Sequence, residues 1–313
     1  MNNNPQNKIT FKEVGILIIG FKRPDLLVNR VLELDVEKVE NLYISIDGGE
    51  ESHTVDTEKF KDFAERKLAS IPNLIINHES KNLGLVRHVT SSITKVLEKH
   101  QYIIVIEDDV KVSESFLENM LAGLTYLKNK HTNGIVSGWS PAPVPFLRNK
   151  WRKSKYAYIW GWSCSREVWK DYNFDLSTEN IYECLEKSQS WRAYSRFQKI
   201  QWMSRFISMQ NNPMVTWDVQ FFYHCIKNDF LMISPLFTMT GNQGFEDERA
   251  AHTHGTKPKF IQNNFLSSKE VQKTSLFLHT LLNLVDTIYM DNTQLLTKIR
   301  MAIFKTKQIK KPV

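Results

Sequence analysis

The chain has 313 residues, 42% apolar and 24% charged, a globular balance that excludes wholesale disorder and a collagen-like repeat. No run of about 18 uncharged apolar residues occurs, so no bilayer-spanning helix is expected, and residues 1–8 lack the apolar core of a secretory signal. The net charge of +7 is local: residues 256–313 hold ten Lys or Arg against three acids, leaving 31 basic and 31 acidic residues in a neutral body, which argues against broad nucleic-acid binding.

Residues 14–20 (VGILIIG) read as a strand buried on both faces, followed by a helix from Pro24 with Leu26, Leu27, Val31 and Leu32 at helical spacing. A second buried strand, 42–46 (LYISI), ends in Asp47-Gly48-Gly49. An amphipathic helix over 55–69, a strand over 73–77, a helix over 84–100 and a strand over 102–106 (YIIVI) follow, the last running into Glu107-Asp108-Asp109. A helix is expected over 113–130, with Ser115 and Glu118 at capping-box spacing. This alternation predicts an α/β fold with a mostly parallel sheet. Beyond a strand at 134–138 the spacing predicts an irregular basic segment over 139–155 and an aromatic-dense stretch over 156–169. It then predicts helices over 179–209 and 217–227, a strand over 231–235 and a polar loop over 241–255. His224 and Cys225 lie within an apolar helix and read as core. Three scattered cysteines, Cys164, Cys184 and Cys225, form no disulfide framework or zinc site, which fits a reducing cytosol.

In an open parallel sheet ligands sit beyond the carboxyl ends of the strands. Three such ends carry polar residues: Gly20-Phe21-Lys22-Arg23, Asp47-Gly48-Gly49 and Glu107-Asp108-Asp109. Arg23 reads as a phosphate contact or a solvated loop arginine, and Asp47 as an acceptor for a base imide or an amide. Three adjacent acids after an apolar strand repel one another unless a cation sits there. They read as a Mg2+ or Mn2+ site bridging to a diphosphate, or as a solvated acidic turn. Asn82-Leu83-Gly84-Leu85-Val86-Arg87 opens the helix before that strand; Gly84 would bring backbone N–H groups to phosphate and Arg87 lies one turn in, or the segment is a plain turn with a surface arginine. Trp160-Gly161-Trp162 offers indole faces to a sugar with a close chain approach at Gly161, or else belongs to the core. Asp218 opens a helix, where a carboxylate serves capping or catalysis.

In this order GFKRPD, SIDGG, NLGLVR, IEDD, VSGW, YIWGWSCSREVW and GFEDERAAHT resemble bacterial nucleotide-sugar glycosyltransferases of GT-A fold, the HlpA-like family, with a distant similarity to N-acetylglucosaminyltransferase I. The resemblance covers residues 14–253. It implies a Rossmann-like GT-A domain over 11–255 between a flexible start, 1–10, and a basic helical extension, 256–313. It implies that Asp109 binds the metal, that Glu107 and Asp108 contact donor ribose or sugar, that Asp47 holds the base, and that Arg23 lies near the nucleotide. Trp217-Asp218 resembles the pair that supplies the catalytic base, which with a leaving group opposite implies inversion. His252, in Ala251-His252-Thr253, matches a family His-Thr near the metal, although the loop has extra residues and His254 competes with it.

The expected activity is transfer of a sugar from a nucleotide-diphosphate donor, such as a UDP-sugar, to a cell-surface glycan or lipid-linked acceptor. A sugar nucleotidyltransferase is the alternative, but it wants a Gly-rich basic loop after the first strand. A non-catalytic relic of the fold would not be expected to keep the acid triplet and Asp218. Arg148, Lys150, Arg152, Lys153 and Lys155 attract an acidic acceptor or form a solvated run. In the extension, helical patterns over 271–289 and 295–304 precede Lys305, Lys307, Lys310 and Lys311, which suits an anionic inner membrane surface or a packing arm.

Overall fold

The computed structural model describes residues 8–49, 51–141, 150–237, 239–247, 249 and 272–273. From the N-terminus β1 (Val14–Gly20), α1 (Pro24–Glu33), β2 (Asn41–Ile46), α2 (Glu51–Lys67), β3 (Asn73–His78), α3 (Leu85–Leu97) and β4 (Tyr102–Glu107) alternate as expected. The next stretch holds β5 (Val110–Val112), α4 (Phe116–Asn129), β6 (Gly134–Ser137), β7 (Lys150–Lys153), β8 (Trp162–Ser165) and α5 (Arg166–Trp169). Four helices follow, α6 (Ile181–Lys187), α7 (Gln189–Arg192), α8 (Arg196–Asn211) and α9 (Asp218–Lys227), then β9 (Leu231–Pro235), β10 (Thr240–Asn242) and β11 (Gln272–Lys273).

The central sheet runs β11-β7-β9-β6-β8-β4-β1-β2-β3. Pairing is parallel for β1 with β2 and β4, β2 with β3, β6 with β9, and β11 with β7; β8 is antiparallel to both β4 and β6, as β7 is to β9. The fold is thus α/β with a mostly parallel sheet. Because side chains alternate across a strand, Leu17, Ile19, Ile103 and Val105 enter one core, beneath α3 and α9. Ile16, Ile18, Ile104 and Ile106 enter the other, beneath α1, α2 and α4. Each such fully buried aliphatic side chain contributes about 1.5–3 kcal/mol, which is why an uninterrupted apolar run is a central strand here.

Four local expectations are corrected. The helix expected over 179–209 is three helices, because serines cap new starts within it: Ser188 Oγ accepts from the Trp191 N–H at 3.0 Å, and Ser195 forms a capping box with Gln198. At α4 the reverse holds: Ser115 makes no side-chain cap and Glu118 bonds Lys38 at 2.8 Å instead. The polar loop begins with β10, which pairs antiparallel with β5. Gln272 and Lys273 join the sheet edge beside β7 rather than continuing a helix from 271; the rest of 256–313 lies outside the described residues. His224 and Cys225 are buried in α9 as expected. No helix among the described residues is long and apolar enough to cross a membrane.

Candidate active site

The parallel order of β1, β2 and β4 brings Gly20, Asp47 and Glu107-Asp108-Asp109 to one edge, where the Asp47 N–H donates to the Gly20 carbonyl and the Asp108 N–H to that of Ile19. A cavity of about 470 Å³ opens there. Its walls include these strand ends, Arg23, the Asn82–Leu85 turn, His88, Trp160, Thr216-Trp217-Asp218 and Asn242. Five carboxylates (Asp47, Glu107, Asp108, Asp109 and Asp218) thus face one guanidinium across one space.

At the β2 end the carboxylate is tied to backbone. Asp47 Oδ1 accepts from the Leu83 N–H at 2.8 Å and the Gly48 N–H at 2.9 Å, and Oδ2 from the Gly84 N–H at 3.1 Å. This corrects one expectation: the Leu83 and Gly84 N–H groups point to Asp47 rather than to phosphate. Asp47 ties down the turn while it borders the cavity, with a single donor on Oδ2. Gly48 makes the clamp feasible, since a Cβ there would lie 2.3 Å from the Lys81 carbonyl carbon. Arg87 is exposed on the first turn of α3 and is not part of the cavity wall.

The β4 end is different. Arg23 grips Asp108 through Nε, at 3.1 Å from Oδ2, and through Nη2 to Oδ1; Nη2 also reaches Asp109 Oδ2 at 3.4 Å. The Phe21 N–H adds a bond to Asp108 Oδ2 at 3.2 Å. The expected phosphate reader is therefore largely committed to the acid cluster, with Nη1 unpartnered among the described residues. Fully buried Arg30 bonds Glu33 at 2.8 Å and Gln243 at 3.2 Å and adds its field behind the acids. Alternation along β4 puts Glu107 on the face of Ile103 and Val105, toward α9, and its carboxylate has no hydrogen bond among the described residues.

Burial, then Asp109, Asp108 and Asp218, push Glu107 well above the usual carboxylate range, against the pull of Arg23. Burial raises Asp108 to about 7 despite Arg23, and Asp109 is raised by burial too. Asp108 and Asp109 together outweigh the burial of Arg23 and hold it charged. The three acids outnumber the arginines beside them, and burial with mutual repulsion makes the cluster costly to ionise without a further cation.

Across the cavity Asp218 stands at the start of α9, its Oδ1 accepting from the Thr216 hydroxyl and its Oδ2 without a partner among the described residues. Trp160 is half-buried against Trp139 and Phe245 and contributes to the wall. Trp162 does not: it is fully buried, stacked on Trp217 at 5.8 Å and packed on Phe221, because its place in β8 faces the core. Gly161 likewise serves packing, since at φ +67° a Cβ would sit 2.9 Å from Thr240 Cγ2 and 3.0 Å from the Phe116 ring. A Cβ at Gly20, which does border the cavity, would meet Leu27 at 2.7 Å. Of the basic run, Arg152 is buried and bonds Ser140, while Lys155 bonds the Ala193 carbonyl at 3.0 Å; Arg148 lies outside the described residues.

His252 and His254 also lie outside the described residues. Within these, no three His, Cys, Asp or Glu side chains already converge as a metal cage. Sequence reasoning missed His88, Thr216 and Asn242. Only Thr216, two residues before Asp218, had a local signal. Asn242 arrives because β10 pairs with β5 next to Asp109, where the Gln243 N–H donates to the Asp109 carbonyl at 2.8 Å.

No family model and no curated protein sequence matches the chain. Among solved structures it is similar to HddC from Yersinia pseudotuberculosis, at 10% identity and a TM-score of 0.29 over 50% of this chain and 79% of that one. The same protein complexed with GMP-PN gives 11% identity and 0.29 over the same shares. UDP-glucose pyrophosphorylase complexed with UDP-glucose gives 8% identity and 0.35 over 72% of this chain and 91% of that one. Likeness of this degree leaves the reading of the site to its own geometry.

Proposed function

We propose that the chain is a metal-dependent, inverting glycosyltransferase that moves a sugar from a nucleotide-diphosphate donor, a UDP-sugar, to a glycan or lipid-linked acceptor. One observation carries this: a surplus of carboxyl groups at the β4 end faces, across one cavity, a further carboxylate whose outer oxygen has no partner among the described residues. Hard oxygen donors that outnumber the cations beside them fit Mg2+ or Mn2+, which characteristically takes one or two carboxylates and completes its shell with water and substrate phosphate. Asp109 and Glu107 would hold the ion, and when bound it supplies positive charge for the departing diphosphate.

The rest falls to the chain's own side chains. Arg23 fixes Asp108 and, through Nη2, the position of Asp109, and its Nη1 adds an N–H donor to the same region. Trp160 gives an indole surface for a sugar ring. Asp218 Oδ2 takes the proton of the acceptor hydroxyl while Thr216 holds Oδ1, and attack from that side inverts the anomeric centre. The loop after β1 supports a transferase over a pyrophosphorylase: it has a single glycine, and its arginine is occupied by Asp108.

The test is thermal denaturation with UDP, with Mn2+, and with both. At about 100-fold excess over Kd the pair together should raise Tm on the order of 5 °C, and UDP alone far less. A panel of nucleotide sugars should then show Mn2+-stimulated hydrolysis. No shift with any nucleoside diphosphate would overturn the proposal.

A further inference from the structure

The chain that carries Thr216-Trp217-Asp218 into the cavity wall arrives along an unusual surface. From Ser188 to Trp217 it holds four Arg or Lys and no Asp or Glu, in a body that is neutral as a whole. Helix α8 fills most of this stretch and is apolar on both faces. Its inner face buries Trp202 and Phe206 together with two glutamines, Gln198 and Gln201, whereas Ile200 and Ile207 stay 49% and 45% exposed. Seven residues make two helical turns, so the two isoleucines stand in one line on the outer face, with Arg196 and Lys199 on its flank. Exposed apolar residues resume just past the helix, at Met214 and Val215, 44% and 54% exposed. The Val215 N–H closes a turn on the Asn212 carbonyl at 3.3 Å, and the next three residues line the cavity.

Nothing in the folding of α8 itself favours isoleucine over serine at a position facing water. An occupant of this face must be apolar where it meets Ile200, Ile207, Met214 and Val215, and anionic where it meets Arg196 and Lys199. A second copy of the same face sets cation against cation and fails the second condition. An anionic lipid surface meets both: it takes up the apolar side chains, while the long stems of Arg and Lys keep their charges at the level of the lipid phosphates. The outer face of one helix is also convex, which suits a fluid layer that needs no complementary groove.

We propose that α8 and the Met214-Val215 turn dock the protein on an anionic lipid surface, and that the acceptor whose hydroxyl meets Asp218 is lipid-linked. Three residues of chain place Asp218 within about 10 Å of the docked Val215, so a lipid-linked hydroxyl reaches it without leaving the bilayer. The choice of acceptor rests on the transferase reading of the cavity; the docking does not.

The experiment is co-sedimentation of the full chain with vesicles of phosphatidylcholine, alone or with about one-third phosphatidylglycerol. It compares the wild type with two double variants, Ile200→Ser with Ile207→Ser and Arg196→Gln with Lys199→Gln. These side chains reach solvent, and an unchanged Tm shows that the variants fold. The wild type should bind the anionic vesicles about tenfold more tightly than the neutral ones. Each double variant should bind them about tenfold more weakly than the wild type, while its Kd for UDP with Mn2+ stays within about twofold. A wild type that ignores anionic vesicles, or double variants that bind them as the wild type does, overturns docking through α8 and leaves the transferase proposal standing. A wild-type dimer that Ile200→Ser with Ile207→Ser converts to monomer would assign the face to a second copy and overturn it equally. Vesicle binding without affinity for any nucleoside diphosphate overturns the transferase reading and, with it, the lipid-linked acceptor.

Discussion

Two strand ends about 60 residues apart in sequence, one on either side of β1, offer a controlled comparison. The β2 end and the β4 end lie on the two sides of β1, and each presents buried aspartate to the same cavity. At β2 three backbone N–H groups satisfy Asp47, so the carboxylate acts as a structural clamp. At β4 the acids outnumber their donors, and Glu107 is forced upward in pKa by burial and by Asp109, Asp108 and Asp218. Residue type and position on a sheet rim therefore do not define a ligand site. The count of donors already committed does.

The largest effect should come from Asp218→Asn, which faces the β4 end: transfer should fall on the order of 1000-fold while the Kd for UDP with Mn2+ stays within about twofold. An active variant would remove Asp218 as the base. Asp109→Ala should weaken Mn2+-dependent UDP binding about 100-fold, read by calorimetry, with little loss of fold stability.

Asp47→Ala should do the opposite. Orphaning three backbone donors should cost about 3 kcal/mol in urea unfolding, with weaker binding only as a consequence. Glu107→Gln should stabilise the ligand-free protein by about 1 kcal/mol, since a buried, repelled carboxylate is replaced by a neutral isostere. If Asp47→Ala and Glu107→Gln shift the unfolding midpoint in the same direction, the contrast between the two ends is wrong.

The smallest effect is a pH dependence at the β2 end. Burial holds His88 below its ordinary 6.5. On acidification the unfolded chain takes up this proton first, so the stability due to the neutral ring is present above pH 6.5 and is lost as pH falls through the lower folded value. The stability of wild type relative to His88→Phe should therefore decline between pH 7 and pH 5 in denaturant titrations.

Local sequence patterns settle the parallel half. Runs such as VGILIIG and YIIVI bury both faces and have no other stable place than the middle of a sheet, and polar residues directly after them mark its rim. Such patterns also bring Asp218 and Trp160 into view, because a helix start and an aromatic-dense segment are local. Which rim residues keep unused hydrogen-bonding capacity depends on contacts made in the folded chain. Asp47 is closed by N–H groups 36 and 37 residues away, Arg23 by an acid 85 residues away, and Trp162 by an indole on another element. Hydrogen-bond saturation is a property of neighbours in space, and a donor that arrives from a distant turn leaves no trace in the spacing of the residues it satisfies.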